Sequence, residues 1–345
     1  MEKNEDLKFI INKDELIGRG QFSEIYAAYN KNDKSKKYAA KLIPSSIINQ
    51  DFILEQFSNE ILITSQFKNK NLISFISIEE SDDENIYIIM EYCNGKDLLS
   101  FINELKEKKQ RNLTEKEIQK ILKDILYGLS CLHRNSITHH DIKLENILLN
   151  FYTNKDLNDL NVENCTFKIS DFGFSKFIQN DYSNYTIGGT IEYLPPEIIL
   201  GTVELDDIDK SKIDIWAIGI LTHKLMFSSH PFIKDINNGN ILNQLRDNLR
   251  IGKYNIALNE NFYKISKEFL WFIDSCLKSN FERRLSSEDL EYSRFITRNN
   301  FNYIDKENFQ KEIPEKYLEN NFNIIDNPIV LNINDEEFVK DEILE

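Results

Sequence analysis

His139-His140-Asp141-Ile142-Lys143-Leu144-Glu145-Asn146 runs directly into the apolar triplet Ile147-Leu148-Leu149, and Lys168-Ile169-Ser170-Asp171-Phe172-Gly173 follows further along. An aspartate, an asparagine five positions on and a second aspartate before Phe-Gly make a set suited to proton transfer and metal binding. Asp141 can orient a hydroxyl nucleophile and accept its proton. Asn146 and Asp171 offer the hard oxygen ligands that Mg2+ demands. Lys143 can neutralise charge on a phosphoryl group in transfer.

Upstream, Ile17-Gly18-Arg19-Gly20-Gln21-Phe22-Ser23-Glu24-Ile25-Tyr26 places two glycines where backbone N–H groups could lie against phosphate oxygens with no Cβ in the way. Ser23 stands where a third glycine would complete that pattern, and alone the stretch also reads as a turn. Tyr38-Ala39-Ala40-Lys41 is a short strand whose lysine could hold phosphates across a cleft or be solvated. Asp51–Phe67 has helical spacing, with Phe57, Ile61 and Ser65 on one side. Glu60 on that helix can pair with Lys41, and Glu55 competes for the role.

The first hundred residues read as strands around one helix; Tyr38–Ile43 and Asn85–Glu91 are rich in β-formers. From about residue 97 the signal is mostly helical. Thr114-Glu115-Lys116-Glu117 is a capping box, followed at helical spacing by Ile118, Ile121, Leu122, Ile125, Leu129 and Leu132. A β-rich half followed by an α-rich half predicts an α+β chain of two lobes with a cleft between them. Residues 150–164 are Asn- and Asp-rich without periodicity, and predict an exposed loop insertion.

Composition excludes other classes. The chain has 345 residues, 41% hydrophobic and 29% charged, enough to bury a large core. A net charge of −15 argues against nucleic acid as a partner and favours basic partners. The four cysteines, Cys93, Cys131, Cys165 and Cys276, lie far apart, which fits a reduced, intracellular and cytoplasmic setting. The N-terminus lacks a signal-peptide apolar core. The apolar stretch Ile213–Phe227 is interrupted by Asp214, His223 and Lys224, so no membrane span is predicted. Residues 301–345 carry 12 acidic side chains against 4 lysines, alongside apolar residues such as Ile329, Val330 and Leu331. A solvated tail and one docked partly on the body are both compatible with that pattern.

Taken in order, these motifs resemble the eukaryotic protein kinase family over roughly residues 12–296. Later landmarks also match: Gly189-Thr190-Ile191-Glu192-Tyr193-Leu194-Pro195-Pro196-Glu197 resembles the end of an activation segment. Asp214-Ile215-Trp216-Ala217-Ile218-Gly219 resembles the central helix of the C-lobe, and Arg284 would pair with Glu197. The resemblance implies an N-lobe over about 12–92, a C-lobe over about 97–296 and an acidic tail over 297–345. It implies Mg-ATP as cofactor, with the adenine between Ile17, Ile25, Ala39 and Leu148. Gly18, Gly20, Ser23 and Lys41 would lie along the phosphates. Met90 would be the gatekeeper, Glu91-Tyr92-Cys93 the hinge, and Asp97 would reach the ribose or a basic substrate residue. Lys41, Glu60, Asp141 and Lys143 would be catalytic, with Asn146 and Asp171 holding metal. Asp141-x-Lys143 with Thr190 is the serine/threonine pattern. The hinge and catalytic loop resemble the calcium/calmodulin-dependent and Unc-51-like groups.

The chain departs from the family at several points. His140 replaces an arginine that grips an activation-segment phosphate, so activity is expected not to depend strictly on phosphorylation there. The available hydroxyls are Ser175, Tyr182, Ser183, Tyr185, Thr186 and Thr190. Thr64 stands one turn after Glu60, where the family packs an apolar side chain. Lys224 replaces an acid common in relatives that prefer basic substrates, while Asp97, Glu145 and the net charge favour basic residues near the target hydroxyl. The runner-up reading is a pseudokinase scaffold; every residue for transfer is present, and only His140, Ser23 and Thr64 lean that way.

Overall fold

The computed structural model describes residues 8–20, 23–44, 46, 51–80, 85–177, 189–204, 207–234, 240–251, 253–256, 264–301, 303–305 and 329–332. The first half is a five-stranded antiparallel sheet built from β1 (Phe9–Arg19), β2 (Glu24–Asn30), β3 (Lys37–Ile43), β4 (Phe75–Glu80) and β5 (Ile86–Glu91), in the order β1-β2-β3-β5-β4. One helix, α1 (Asp51–Gln66), interrupts it between β3 and β4. The predicted strand and helix positions hold to within a residue or two; β1, β2 and β4 carry weaker sequence patterns.

The second half is mainly helical: α2 (Leu98–Lys109), α3 (Glu115–Arg134), α4 (Asn154–Asp159), α5 (Pro196–Leu200), α6 (Ser211–Phe227), α7 (Ile241–Ile251), α8 (Lys267–Cys276), α9 (Ser287–Glu291) and α10 (Arg294–Thr297). The small strands β6 (Ile137–Thr138) and β9 (Lys176–Phe177) pair with each other, as do β7 (Ile147–Phe151) and β8 (Cys165–Ile169). Four further short strands pair two by two. β10 (Lys253–Ile256) joins β13 (Ile329–Asn332), and β11 (Lys264–Ser266) joins β12 (Tyr303–Asp305).

Local chemistry explains the main helices. Thr114 Oγ1 accepts the Glu117 amide at 3.2 Å, and Glu117 Oε2 accepts the Thr114 amide at 2.8 Å, so the capping box opens α3 as its sequence predicts. The apolar stripe of α3 from Ile118 to Leu132 is buried. Helix α6 is buried on almost every side, as a helix apolar all round must be. Among the described residues, no helix is long and apolar enough to cross a membrane.

Residues 71–73 join the two halves. Asn71 Nδ2 donates to Phe167 O at 2.8 Å, and the Ile169 and Ile73 amides close a small parallel pairing with Asn71 O and Ile169 O at 2.8 and 2.9 Å. Gly128 of α3 makes this approach possible, because a Cβ there would lie 2.8 Å from Asn71 O.

The segment 150–164 corrects the expectation of a bare exposed loop. Asn150 and Phe151 end β7, Thr153 caps α4 by accepting the Asp156 amide at 3.1 Å, and Leu160 and Val162 are buried. Its asparagines and aspartates act as caps and turn formers: Asn164 Nδ2 reaches Asp156 Oδ1 at 2.8 Å. Of the tail, residues 297–301, β12 and β13 are described; the rest of 302–345 lies outside the described residues.

Arg284 is fully buried and grips Glu197 through two parallel bonds of 2.6 Å, with its guanidinium 4.9 Å from the Trp216 ring. Removing one member leaves the other buried without its charge partner. Glu197→Gln is therefore expected to lower the urea unfolding free energy by about 3 kcal/mol.

Candidate active site

At the N-lobe end, Lys41 of β3 sits opposite Ile25 of β2 and Ile88 of β5. Its ammonium lies 2.5 Å from Glu60 Oε2 and 3.3 Å from Asp171 Oδ1. Glu60 is thus the partner of Lys41, while Glu55 pairs with Lys176. Burial disfavours the charged Lys41, but the carboxylates of Asp171 and Glu60 outweigh it and hold the lysine above its ordinary value. Lys41 in turn holds the Asp171 carboxyl below its usual range. Thr64 is buried on α1, and its hydroxyl donates to Glu60 O at 2.5 Å, so its polarity is satisfied within the helix.

At the C-lobe end, Asp141 Oδ1 accepts the amide and hydroxyl of Thr190, each at 3.0 Å. Its Oδ2 takes Lys143 Nζ at 2.6 Å and Asn146 Nδ2 at 2.8 Å. Lys143 also donates to Thr190 Oγ1 at 2.9 Å. Lysine, asparagine and threonine therefore converge on one carboxylate. Gly189 admits this closure: its φ is +110°, and a Cβ would lie 2.5 Å from His140 O.

The residues expected around the adenine fall on neighbouring strands of the N-lobe sheet and on the β7 bridge to Asp97. Gly18 pairs with Ile25 across β1 and β2, Ala39 with Met90 across β3 and β5, and Leu148 is bridged to Asp97. Ile17, Ile25 and Leu148 are half-buried, and Ala39 and Met90 are buried. The Gly20 amide donates to Ser23 O at 2.8 Å, so Ser23 closes the turn; Gln21 and Phe22 lie outside the described residues. The Glu91 carboxylate receives the Ser74 amide at 2.8 Å and Lys168 Nζ at 3.0 Å, which fixes the hinge. The buried Cys93 keeps its backbone N–H and C=O without partners among the described residues. Those two groups can take a purine edge, so the cleft fits the nucleotide.

Asp97 has a structural role besides the one expected of it. Its two carboxylate oxygens take the Ser100 amide at 2.8 Å and the Ser100 hydroxyl at 2.6 Å, so it serves as the N-cap of α2. Ser175 is also not an open hydroxyl, being buried with its Oγ donating to His139 O at 3.3 Å. Tyr182, Ser183, Tyr185 and Thr186 lie outside the described residues. Lys224 pairs with Glu192 at 3.3 Å and lies over the Tyr193 ring at 4.7 Å.

Asp214 is a functional residue whose role the motif reading missed. Buried in α6, it accepts the amides of His139 at 2.8 Å and His140 at 2.7 Å, and the ring of His133 at 2.9 Å. The available signal was a lone acid inside an otherwise apolar helix, which must find partners. His139 adds a link of its own, with its ring 5.1 Å from Phe172 and its Nε2 3.1 Å from Ser170 O.

Among the described residues, no group of three or more His, Cys, Asp or Glu converges as an all-protein metal cage. Asn146 and Asp171 instead offer a partial oxygen set: the Asn146 amide nitrogen is taken by Asp141, and the Asp171 side chain is 44% exposed. Such a set fits Mg2+, which usually keeps water and substrate phosphates in its shell.

With this geometry in place, comparison with known proteins gives the family. Residues 11–296 match the protein kinase domain. Calcium-dependent protein kinase 5 of Plasmodium berghei is 29% identical over 318 residues, covering 91% of this chain and 51% of that protein. Serine/threonine-protein kinase cds1 of Schizosaccharomyces pombe is 32% identical over 289 residues, covering 81% and 57%. Serine/threonine-protein kinase ULK1 of Homo sapiens is 29% identical over 225 residues, covering 65% and 20%. The chain thus spans about half of the first two and a fifth of the third. It belongs to the protein kinase family.

His140 has a left-handed backbone (φ 65°) and is 5% exposed. Burial pushes its ring from 6.5 down to about 4, against the pull of Asp214. Folded protein then binds fewer protons than unfolded chain between those values, so this contribution to stability is whole above 6.5 and falls as pH drops toward 4. Buried His230 acts in the same sense, whereas Glu115, raised to about 7 by burial, acts in the opposite one. Comparison with His140→Asn, which tolerates this backbone, isolates the first. The variant is expected to lose about 3 kcal/mol less than wild type between pH 7 and pH 4 in urea titrations.

Proposed function

We propose that the protein is a serine/threonine protein kinase that transfers the γ-phosphate of Mg-ATP to protein hydroxyls. The observation that carries this reading is the closure of Lys143, Asn146 and Thr190 on Asp141, opposite the Lys41–Glu60–Asp171 cluster. Mg-ATP, when bound, supplies the phosphoryl group and the cation that spreads its charge. Asp141 accepts the proton of the incoming hydroxyl, and Asn146 and Thr190 fix the carboxylate that does so. Lys143 brings positive charge beside that carboxylate, and Lys41, held charged by its acidic partners, presents an ammonium to the phosphates. Asn146 and Asp171 would hold the metal.

Preference for basic residues near the target hydroxyl rests on exposed Glu145 and a net charge of −15. Glu192 is paired with Lys224 and does not add to it, whereas Asp97 caps a helix through neutral groups and keeps its charge. A cytoplasmic setting belongs to the same reading, supported by four free cysteines.

Purified protein is expected to phosphorylate a mixed Ser/Thr peptide pool, with Asp141→Asn reducing the rate by a factor on the order of 10² to 10⁴. Mass spectrometry of the products reports whether basic flanking positions are enriched. Nucleotide binding without transfer by folded wild type would instead favour a scaffold.

The neutral, buried His140 supports independence from activation-segment phosphorylation. A variant carrying Tyr182→Phe, Ser183→Ala, Tyr185→Phe and Thr186→Ala is expected to keep kcat within about threefold of wild type, because a neutral imidazole makes no charge-assisted bond to a phosphate. Loss of activity in a folded variant would refute this.

A further inference from the structure

The tail strand β13 pairs antiparallel with β10 in the register Lys253–Asn332, Tyr254–Leu331, Asn255–Val330 and Ile256–Ile329. β10 follows directly on α7, and α7 packs on α5 and on the turn Ile191–Tyr193. Leu245 and Leu249 of α7 are buried. One connected path therefore leads from the tail, through β10 and α7, to the segment that carries Thr190. We propose that β10 is a strand-docking site whose occupant is residues 329–332 of the same chain, and that the docked strand steadies α7.

Two observations support this occupant. Ile329-Val330-Leu331 is a run of strong β-formers within an otherwise acidic, Asn-rich stretch. The preceding part of the tail is anchored nearby in the chain, because β12 pairs with β11, the strand leading into α8, and the Ser266 amide there donates to buried Glu115 at 2.8 Å. A two-stranded pair of four residues is marginal on its own. The tether 306–328 turns docking into an intramolecular event, with an effective concentration of about millimolar. The strand is accordingly held by tether and ladder together, and it is exchangeable.

The test is hydrogen–deuterium exchange on the full chain and on a Val330→Pro, Leu331→Pro double variant. Successive strand residues turn their N–H groups alternately toward and away from the partner, so two consecutive prolines remove one ladder donor in either phase. The expected result is at least about tenfold faster exchange at residues 253–256, with faster exchange in α7 as well. A synthetic peptide of residues 325–336, added to the double variant at about millimolar concentration, is expected to restore both. Unchanged exchange at 253–256, failure of the peptide to restore it, or an unaffected α7 would each overturn the proposal. A concentration-dependent dimer that the prolines abolish would also overturn it, by assigning the strand to a second copy. None of these readouts needs catalysis, so the outcome is separate from that of the kinase reading.

Discussion

The catalytic loop depends on one buried carboxylate. Asp214 lies in a helix buried on almost every side, where an uncompensated charge could not persist. Its donors come from the loop itself, the amides of His139 and His140, and from the end of α3, the ring of His133. Those bonds hold its carboxyl at about 2 despite complete burial. They also fix the backbone immediately before Asp141 at a left-handed residue, so the direction of the Asp141 side chain is set by the core of the C-lobe.

The opposite wall is set by a different balance. Lys41, Glu60 and Asp171 come from a strand, a helix and the turn after β8, and the Lys41 ammonium is shared between the two carboxylates. A strand lysine alone is uninformative, and so is a helical glutamate. Their value lies in the geometry that brings them within an ion-pair distance while α1 packs on the Phe172–Phe174 turn. The two walls therefore share Asp171, which belongs by sequence to the C-lobe motif and by charge to the N-lobe pair.

Most of the frame could be read from the sequence, because its signals are local. The capping box of α3 and the strand character of Lys37–Ile43 and Ile86–Glu91 follow from spacing and residue type, while the pairing of Glu197 with Arg284 is implied by the family resemblance. What escaped depends on partners distant in sequence. Residues 150–164 looked like a loop because capping residues and turn residues are the same residues, and only burial of Leu160 and Val162 separates the two. Asp214 was visible as a landmark, yet the groups it holds lie about 75 residues earlier.

The contact between Gly128 and Asn71 has a mechanical consequence. Backbone bonds at 2.8 and 2.9 Å tie residues 71–73 to β8, and the missing side chain at Gly128 lets that segment seat on α3. A sheet anchored at such a point has little freedom to slide, since translation would break the ladder and drive Asn71 O against the helix. Rotation remains. A rotation of the sheet about residues 71–73 would therefore carry the stretch around Gly18 and Gly20 furthest, since β1 and β2 lie at the edge of the sheet away from β4.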